Sequence, residues 1–259
     1  MSAPHETDGF PIVVSGVEKR FGALRVLTGL DLQVPRGKNF VIMGLSGTGK
    51  SVTLKILAGL LAPDTGSVRM DGIELTGASR AEVSRVRANL GFLFQGAALL
   101  KWLNAAENVA LPLLEAGVPE KEAEERARAR LADVGLADAA DRLPDQLSGG
   151  QRKRVGFARA TVHKPGIILY DEPTTGLDPI TKATVDELIV RGRDELGATG
   201  VVVSHDLRSA VRVADVIGLL YEGRLVVSAE PAAFLESDHE IVRKFVRDGA
   251  SVDARKEAP

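Results

Sequence analysis

The chain is 259 residues long, with 44% hydrophobic and 26% charged residues, a globular composition that excludes wholesale disorder and leaves room for one or two domains. A formal net charge of −2 and an aromatic content of 4% argue against a broad nucleic-acid-binding surface or a base-stacking platform. The absence of cysteine removes disulfides, thiolate metal sites and a cysteine nucleophile.

Residues 1–10, with Pro4 and Gly9, read as a loose lead-in with neither the basic nor the apolar region of a signal peptide. Pro11–Val17 reads as a strand, and Leu30–Val34 alternates apolar and polar residues as a half-buried strand does. After the turn Pro35-Arg36-Gly37, Asn39–Gly44 is a short apolar run of the kind buried on both faces of a parallel sheet. A glycine-rich loop follows, then helical spacing from Val52 to Leu60, a turn at Pro63–Gly66 and an alternating strand at Ser67–Met70. Pro119–Leu131 reads as a charged, solvated helix with Ala123, Ala127 and Leu131 at i+4 spacing. Gly166–Tyr170 and Gly200–Val203 return to the buried parallel pattern, separated by a helix over Lys182–Leu196. Strand, helix, strand in that order imply crossover units and an α/β core. From about Glu236 the chain becomes charged, with a frayed end expected at Arg255–Pro259. No apolar run, Val216–Tyr221 included, approaches the ~20 residues of a membrane helix, so the chain is expected to be soluble, not secreted and unable to cross a membrane by itself.

Gly44-Leu45-Ser46-Gly47-Thr48-Gly49-Lys50-Ser51 fits the pattern G-x-x-x-x-G-K-[ST] between a strand and a helix. Its glycines let several N–H groups turn inward on an anion, and the following helix adds the positive end of its dipole. Lys50 is then expected to reach the β/γ-phosphates of a nucleoside triphosphate, with the Ser51 hydroxyl in the Mg2+ shell. The second buried run ends in Asp171-Glu172-Pro173, where an acid at a strand tip can hold Mg2+. Neighbouring side chains on an extended chain diverge, so Asp171 is assigned to Mg2+ and Glu172 to the attacking water as general base. Taken alone, two adjacent acids are more often a solvated strand end. His205 follows Val201–Ser204 and belongs on the same sheet edge, where it can contact the γ-phosphate, although taken alone it is more often a helix cap or a structural polar contact. Leu147-Ser148-Gly149-Gly150-Gln151 opens another helix, a second anion-binding geometry that a simple cap also explains.

In combination and order, these motifs closely resemble the ATP-binding-cassette (ABC) transporter ATPases over roughly residues 12–235. The resemblance implies a P-loop NTPase (RecA-like) α/β core with an N-terminal antiparallel β portion, a helical insert at about 96–146 and a tail at 236–259. It implies that Phe21 stacks on adenine and that Gly44–Ser51 is the Walker A loop. Gln95 is the implied Q-loop glutamine, sensing Mg2+ and the membrane partner. Ser148, Gly149, Gly150 and Gln151 belong to the family signature, Ile167–Asp171 to Walker B, and Asp178 to the D-loop. Glu172 is the implied catalytic glutamate and His205 the switch histidine. Two ATP molecules are then sandwiched in a head-to-tail dimer, and separate transmembrane permease subunits carry the cargo, holding the chain at the cytoplasmic face of the membrane.

Phe94–Leu100, Asn108–Leu113, Gly176–Thr181 and Arg243–Gly249 are similar to segments of the Mla/Mce-type phospholipid transporter ATPases. That similarity implies lipid cargo, an Mce substrate-binding protein and, in some systems, a small STAS-domain protein. A polar amino-acid or other solute importer is the alternative, and a non-transport ABC protein a more distant one. Leu99, Leu100, Trp102 and Leu103 either line a groove for a permease helix or fill the insert's own core. His5, His163 and His239 are expected on the surface, and Arg152-Lys153-Arg154 on a solvated helix face.

Overall fold

The structure is a computed structural model that describes residues 9–256, with side chains through Asp248. His5 and the rest of the lead-in through Asp8, and the end Glu257–Pro259, lie outside the described residues. In chain order the elements begin with strands β1 (Ile12–Phe21), β2 (Leu24–Val34) and β3 (Asn39–Met43), then helix α1 (Lys50–Leu57). Strands β4 (Thr65–Met70) and β5 (Ile73–Glu74), helix α2 (Arg80–Ala88) and strand β6 (Leu90–Leu93) follow. The middle is helical: α3 (Ala105–Glu115), α4 (Glu120–Asp133), two short 3-10 turns, and α5 (Gly149–Thr161). The last third runs β7 (Ile167–Asp171), α6 (Pro179–Leu196), β8 (Thr199–Ser204), α7 (Leu207–Val213), β9 (Val216–Tyr221), β10 (Arg224–Ala229), α8 (Pro231–Leu235) and α9 (Glu240–Lys256).

These strands make two sheets. The antiparallel one has the order β2-β1-β4-β5; the other has the order β10-β9-β3-β8-β7-β6 and is parallel except for its edge pair β9–β10. Every residue of β3, β7 and β8 is buried, which is why these three strands read as continuous apolar runs. The register sets Met43 beside Ser204 and Asp171 beside Val203, so β3, β7 and β8 end at one edge. One apolar cluster fills the space between the two sheets and α1, and a larger one joins the opposite face of the parallel sheet to α3–α6. The architecture is α/β, with an antiparallel sheet packed on a largely parallel core as expected.

In α4 the stripe Ala123, Ala127, Leu131 is fully buried, while the rest of the helix is charged and carries Arg126–Glu122 and Arg128–Glu124 pairs one turn apart. One expectation needs correction: helix α1 stops at Leu57 rather than Leu60, because the chain turns at Gly59. The charged segment after Glu236 forms α9, in which Val242 is fully buried and Ile241, Phe245 and Val246 pack on the larger cluster. Of the expected frayed end, Arg255 and Lys256 belong to α9, and Glu257–Pro259 lie outside the described residues. The apolar residues at 241, 242, 245 and 246 form one helical stripe within an otherwise charged sequence.

Candidate active site

The loop after β3 is shaped around an anion. Gly49 has φ of 105°, and a Cβ at Gly44 would stand 2.6 Å from the Leu220 carbonyl oxygen, so neither position accepts a side chain without displacement. Thr48 Oγ1 donates to the Leu45 carbonyl at 2.9 Å, while Ser46 and Gly47 lie exposed on the loop's outer turn. No side chain caps α1, which leaves its first-turn N–H groups pointing into the loop. Lys50, only 7% exposed, folds back to donate to the Gly44 and Leu45 carbonyls at 2.8 and 3.0 Å. Burial pushes its pKa below the ordinary lysine value. Uncapped amides with a buried ammonium behind them fit the phosphates of a nucleotide.

At the neighbouring strand ends the acids separate as their backbone requires. Asp171, the last residue of β7, accepts from Ser51 Oγ at 2.8 Å, and burial raises its carboxyl pKa. A buried carboxylate facing a hydroxyl is a hard-oxygen donor set that fits Mg2+. Glu172 leaves the strand at φ of 47° and turns its carboxylate the other way. Its Oε2 meets His205 Nδ1 at 2.7 Å and accepts from Thr175 Oγ1 at 2.8 Å, and its Oε1 lies 3.8 Å from Lys50 Nζ. His205 is half-exposed at the end of β8. The adjoining Asp206 caps α7 and pairs with Lys182 of α6 at 2.5 Å, fastening the two helices together. Lys50, Ser51, Asp171, Glu172 and His205 are therefore one contiguous cluster.

Gln95 joins that cluster through its backbone. Lys153, expected on a solvated face, is instead 6% exposed: its ammonium donates to the Gln95 carbonyl and, at 3.1 Å, to the Glu172 carbonyl. The solvated-face expectation is thus corrected. At 100° per residue only the middle member of Arg152-Lys153-Arg154 faces inward, on the side shared with Gly150 and Phe157, whereas the two arginines flank it and bond to loop carbonyls. That i−3, i+4 relation to a glycine and a phenylalanine is the sequence signal that marks Lys153. Thr175 was likewise not anticipated; a hydroxyl three residues after the acid is its only local sign.

The remaining family positions lie apart. Phe21, 49% exposed, ends β1 with Lys19 Nζ 5.7 Å from its ring centroid, an open aromatic face available for stacking. Ser148 caps α5 in a capping box with Gln151. Gly149 and Gly150 pack on Leu177 and Thr181 at the start of α6, so closely that a Cβ on Gly150 would meet Thr181 Cγ2 at 2.3 Å. Asp178 uses its carboxylate to cap α6, accepting from the Ile180 and Thr181 amides and the Thr181 hydroxyl. The Thr181 hydroxyl bond holds that carboxyl pKa low.

A groove of about 810 Å³ opens between the parallel sheet's β6 edge and α3, lined by Phe92, Phe94, Ala98, Leu111, Pro112 and His163 among others. Leu99, Leu100, Trp102 and Leu103 are not in its wall. Leu99 packs on the larger core, while Trp102 is 74% exposed, which excludes core filling for that side chain. His163 is half-buried rather than on the surface, and burial lowers its pKa against the opposing pull of a Leu90 backbone contact. His239 is exposed as expected. Among the described residues no helix is long and apolar enough to cross a membrane.

A family model described as ABC transporter matches residues 27–175. A Mycobacterium bovis protein named as a probable ribonucleotide transport ATP-binding protein, mkl, is 41% identical over 246 residues, 93% of this chain and 68% of that one. The lipoprotein-releasing system ATP-binding protein LolD of Bacteroides thetaiotaomicron is 44% identical over 196 residues, 75% of this chain and 90% of that one. Among solved structures, a dimeric ATP-binding cassette in a post-hydrolysis state, bound to ADP and Pi, has a TM-score of 0.78 at 34% identity, covering 85% of this chain and 98% of that one.

Proposed function

Because this chain belongs to the ABC transporter family, as one of its ATP-binding subunits, we propose that its polar cluster hydrolyses Mg-ATP and that hydrolysis drives phospholipid transport of the Mla/Mce type. The observation that carries the enzymatic reading is the meeting of Lys50, Ser51, Asp171, Glu172 and His205 at one sheet edge beside an uncapped helix N-terminus. The loop amides and Lys50 bind the phosphates, Lys50 exchanging its two carbonyl partners for phosphate oxygens. Ser51, Asp171 and Gln95 hold Mg2+, which supplies charge neutralisation at the β- and γ-phosphates. Glu172 takes the proton of the attacking water; His205 and Thr175 fix the direction of its carboxylate. Phe21 stacks on the adenine.

The signature residues Ser148, Gly149, Gly150 and Gln151, with Asp178, serve the nucleotide of a second copy in a head-to-tail dimer. ATP then closes the dimer through contacts that hydrolysis removes, a population shift set by differential binding. The groove between β6 and α3 receives a helix from a transmembrane permease, which holds the chain at the cytoplasmic face of the membrane. The lipid reading is supported by Phe94–Leu100, Gly176–Thr181 and Arg243–Gly249, and brings with it an Mce substrate-binding protein and a small STAS-domain protein. Import of a polar solute is the second reading, supported by the nucleotide cargo in the name of the mycobacterial relative. Purification of the tagged chain from membranes, with mass spectrometry of associated proteins and lipids, tests both. An Mce protein with bound phospholipid is the expected result; a solute-binding protein without lipid would overturn the lipid reading.

A further inference from the structure

A lysine with 6% exposure whose ammonium donates to two carbonyl oxygens is an expensive way to fill space, since its desolvation is only partly offset by those bonds and by the nearby Asp171 and Glu172 carboxylates. An apolar side chain would fill the same volume without that cost, so the identity of the two carbonyls matters. One belongs to Gln95, in the loop that leaves β6, and the other to Glu172. The Glu172 peptide is gripped from both sides: its N–H donates to the Val203 carbonyl of β8 at 3.0 Å, and its carbonyl accepts from Lys153 of α5. Because Glu172 is a non-glycine residue at φ of 47°, its backbone holds this conformation only while its surroundings enforce it. The 94–98 loop depends on the same helix. Ala97 and Ala98 also have positive φ, and Arg159 of α5 donates to both their carbonyls, at 2.6 and 2.9 Å.

We propose that Lys153 is a positioning residue for hydrolysis: it ties the Gln95 peptide to the Glu172 peptide, so that the Glu172 carboxylate is held for proton abstraction only while the 94–98 loop rests on α5. Displacement of that loop breaks the tie and releases the acid, and the helix that begins at Ser148 carries the connection. This rests on the assignment of Glu172 as general base. Because Lys153 acts through the Gln95 and Glu172 backbone carbonyls, its effect is expected on the chemical step and not on ATP binding.

The test uses the full-length chain with Lys153→Met, Lys153→Arg and Lys153→Gln, measuring steady-state ATPase, binding of a fluorescent ATP analogue and thermal unfolding. Lys153→Met is expected to lower kcat at least tenfold with KM for ATP within twofold. Lys153→Arg, which keeps several N–H donors, is expected to recover part of that loss. If the Met chain does not fold, the Gln chain, whose amide retains two N–H donors on a shorter stem, carries the comparison with Arg and the wild type, and is expected to fall below both in kcat at unchanged KM. Folded Met or Gln chains with kcat within twofold of wild type would overturn the proposal. So would a fall in which kcat follows only the folded fraction, or one in which neither Arg nor Gln exceeds Met. A parallel Glu172→Gln chain separates the two levels. Loss of turnover there leaves Lys153 to be judged by its own variants, whereas full turnover there removes the general base and the positioning role together.

Discussion

Replacing Glu172 by Gln alters one property of the site and conserves the others. The amide has the volume of the carboxylate, and its oxygen still accepts from Thr175 Oγ1 and from a His205 N–H, so the contacts at 2.8 and 2.7 Å survive. What disappears is the basic oxygen, together with the negative charge 3.8 Å from Lys50 Nζ. General-base assistance contributes about 10²–10⁴-fold, so kcat is expected to fall by that factor, equivalent to about 3–5 kcal/mol of transition-state stabilisation. ATP affinity is expected to hold or rise, because Lys50 no longer shares its charge with a carboxylate. Phosphate release at saturating Mg-ATP measures the first quantity, and binding of a fluorescent ATP analogue the second. Size-exclusion chromatography with ATP is expected to show a persistent dimer, since the contacts that hydrolysis would remove remain. A kcat within tenfold of wild type, or a loss confined to KM, would refute the assignment of Glu172.

Three further outcomes follow from packing and charge. Asn108 is fully buried: its Oδ1 accepts from the Leu100 amide at 2.8 Å, and its two Nδ2 hydrogens are shared among the Leu100, Leu103 and Asn104 carbonyls at 3.1, 2.9 and 3.0 Å; Asn108→Ala strands several of those groups and is expected to cost about 2–4 kcal/mol in denaturant unfolding. Trp102→Ala, at a 74% exposed position outside the groove, is expected to change stability by no more than about 0.5 kcal/mol in denaturant unfolding. A large loss of stability would show that Trp102 supports the fold. Burial lowers the Lys153 pKa to about 8, below the unfolded-state value of about 10.4. Between those two values the unfolded chain binds more protons than the folded one, so stability rises with pH above about 8. Relative to Lys153→Met, the wild-type chain is expected to gain about 1.5 kcal/mol between pH 8 and 9.5 in chemical denaturation, and equal pH dependence in the two would contradict the burial of a charged amine.

Much of the site was legible in sequence because its parts are local. A strand buried on both faces has to be continuously apolar, a loop that wraps an anion has to be glycine-rich, and both signals fall within the window 39–51. The stripe Ala123, Ala127, Leu131 likewise announced which face of α4 is buried. The strands of the antiparallel sheet and helix α4 show in periodicity, whereas the pairing of those strands and the bounds of the helical insert rest on family resemblance. Strands β6 and β10 and helix α2 went unread, since short edge elements carry little pattern of their own.

Sequence by itself therefore determined the phosphate loop, the acids at the strand tip and the order of the crossover units, because glycine torsion, strand alternation and helix period act between near neighbours. Tertiary structure alone decided which carbonyls Lys153 meets, 58 and 19 positions away along the chain. It also decided that the charged 240–248 segment seats Val242 in the core, and that Trp102 stands outside both groove and core. A side chain's burial depends on which distant residues arrive beside it, and the hydrogen-bond partners that make a buried charge tolerable appear only when the chain has closed.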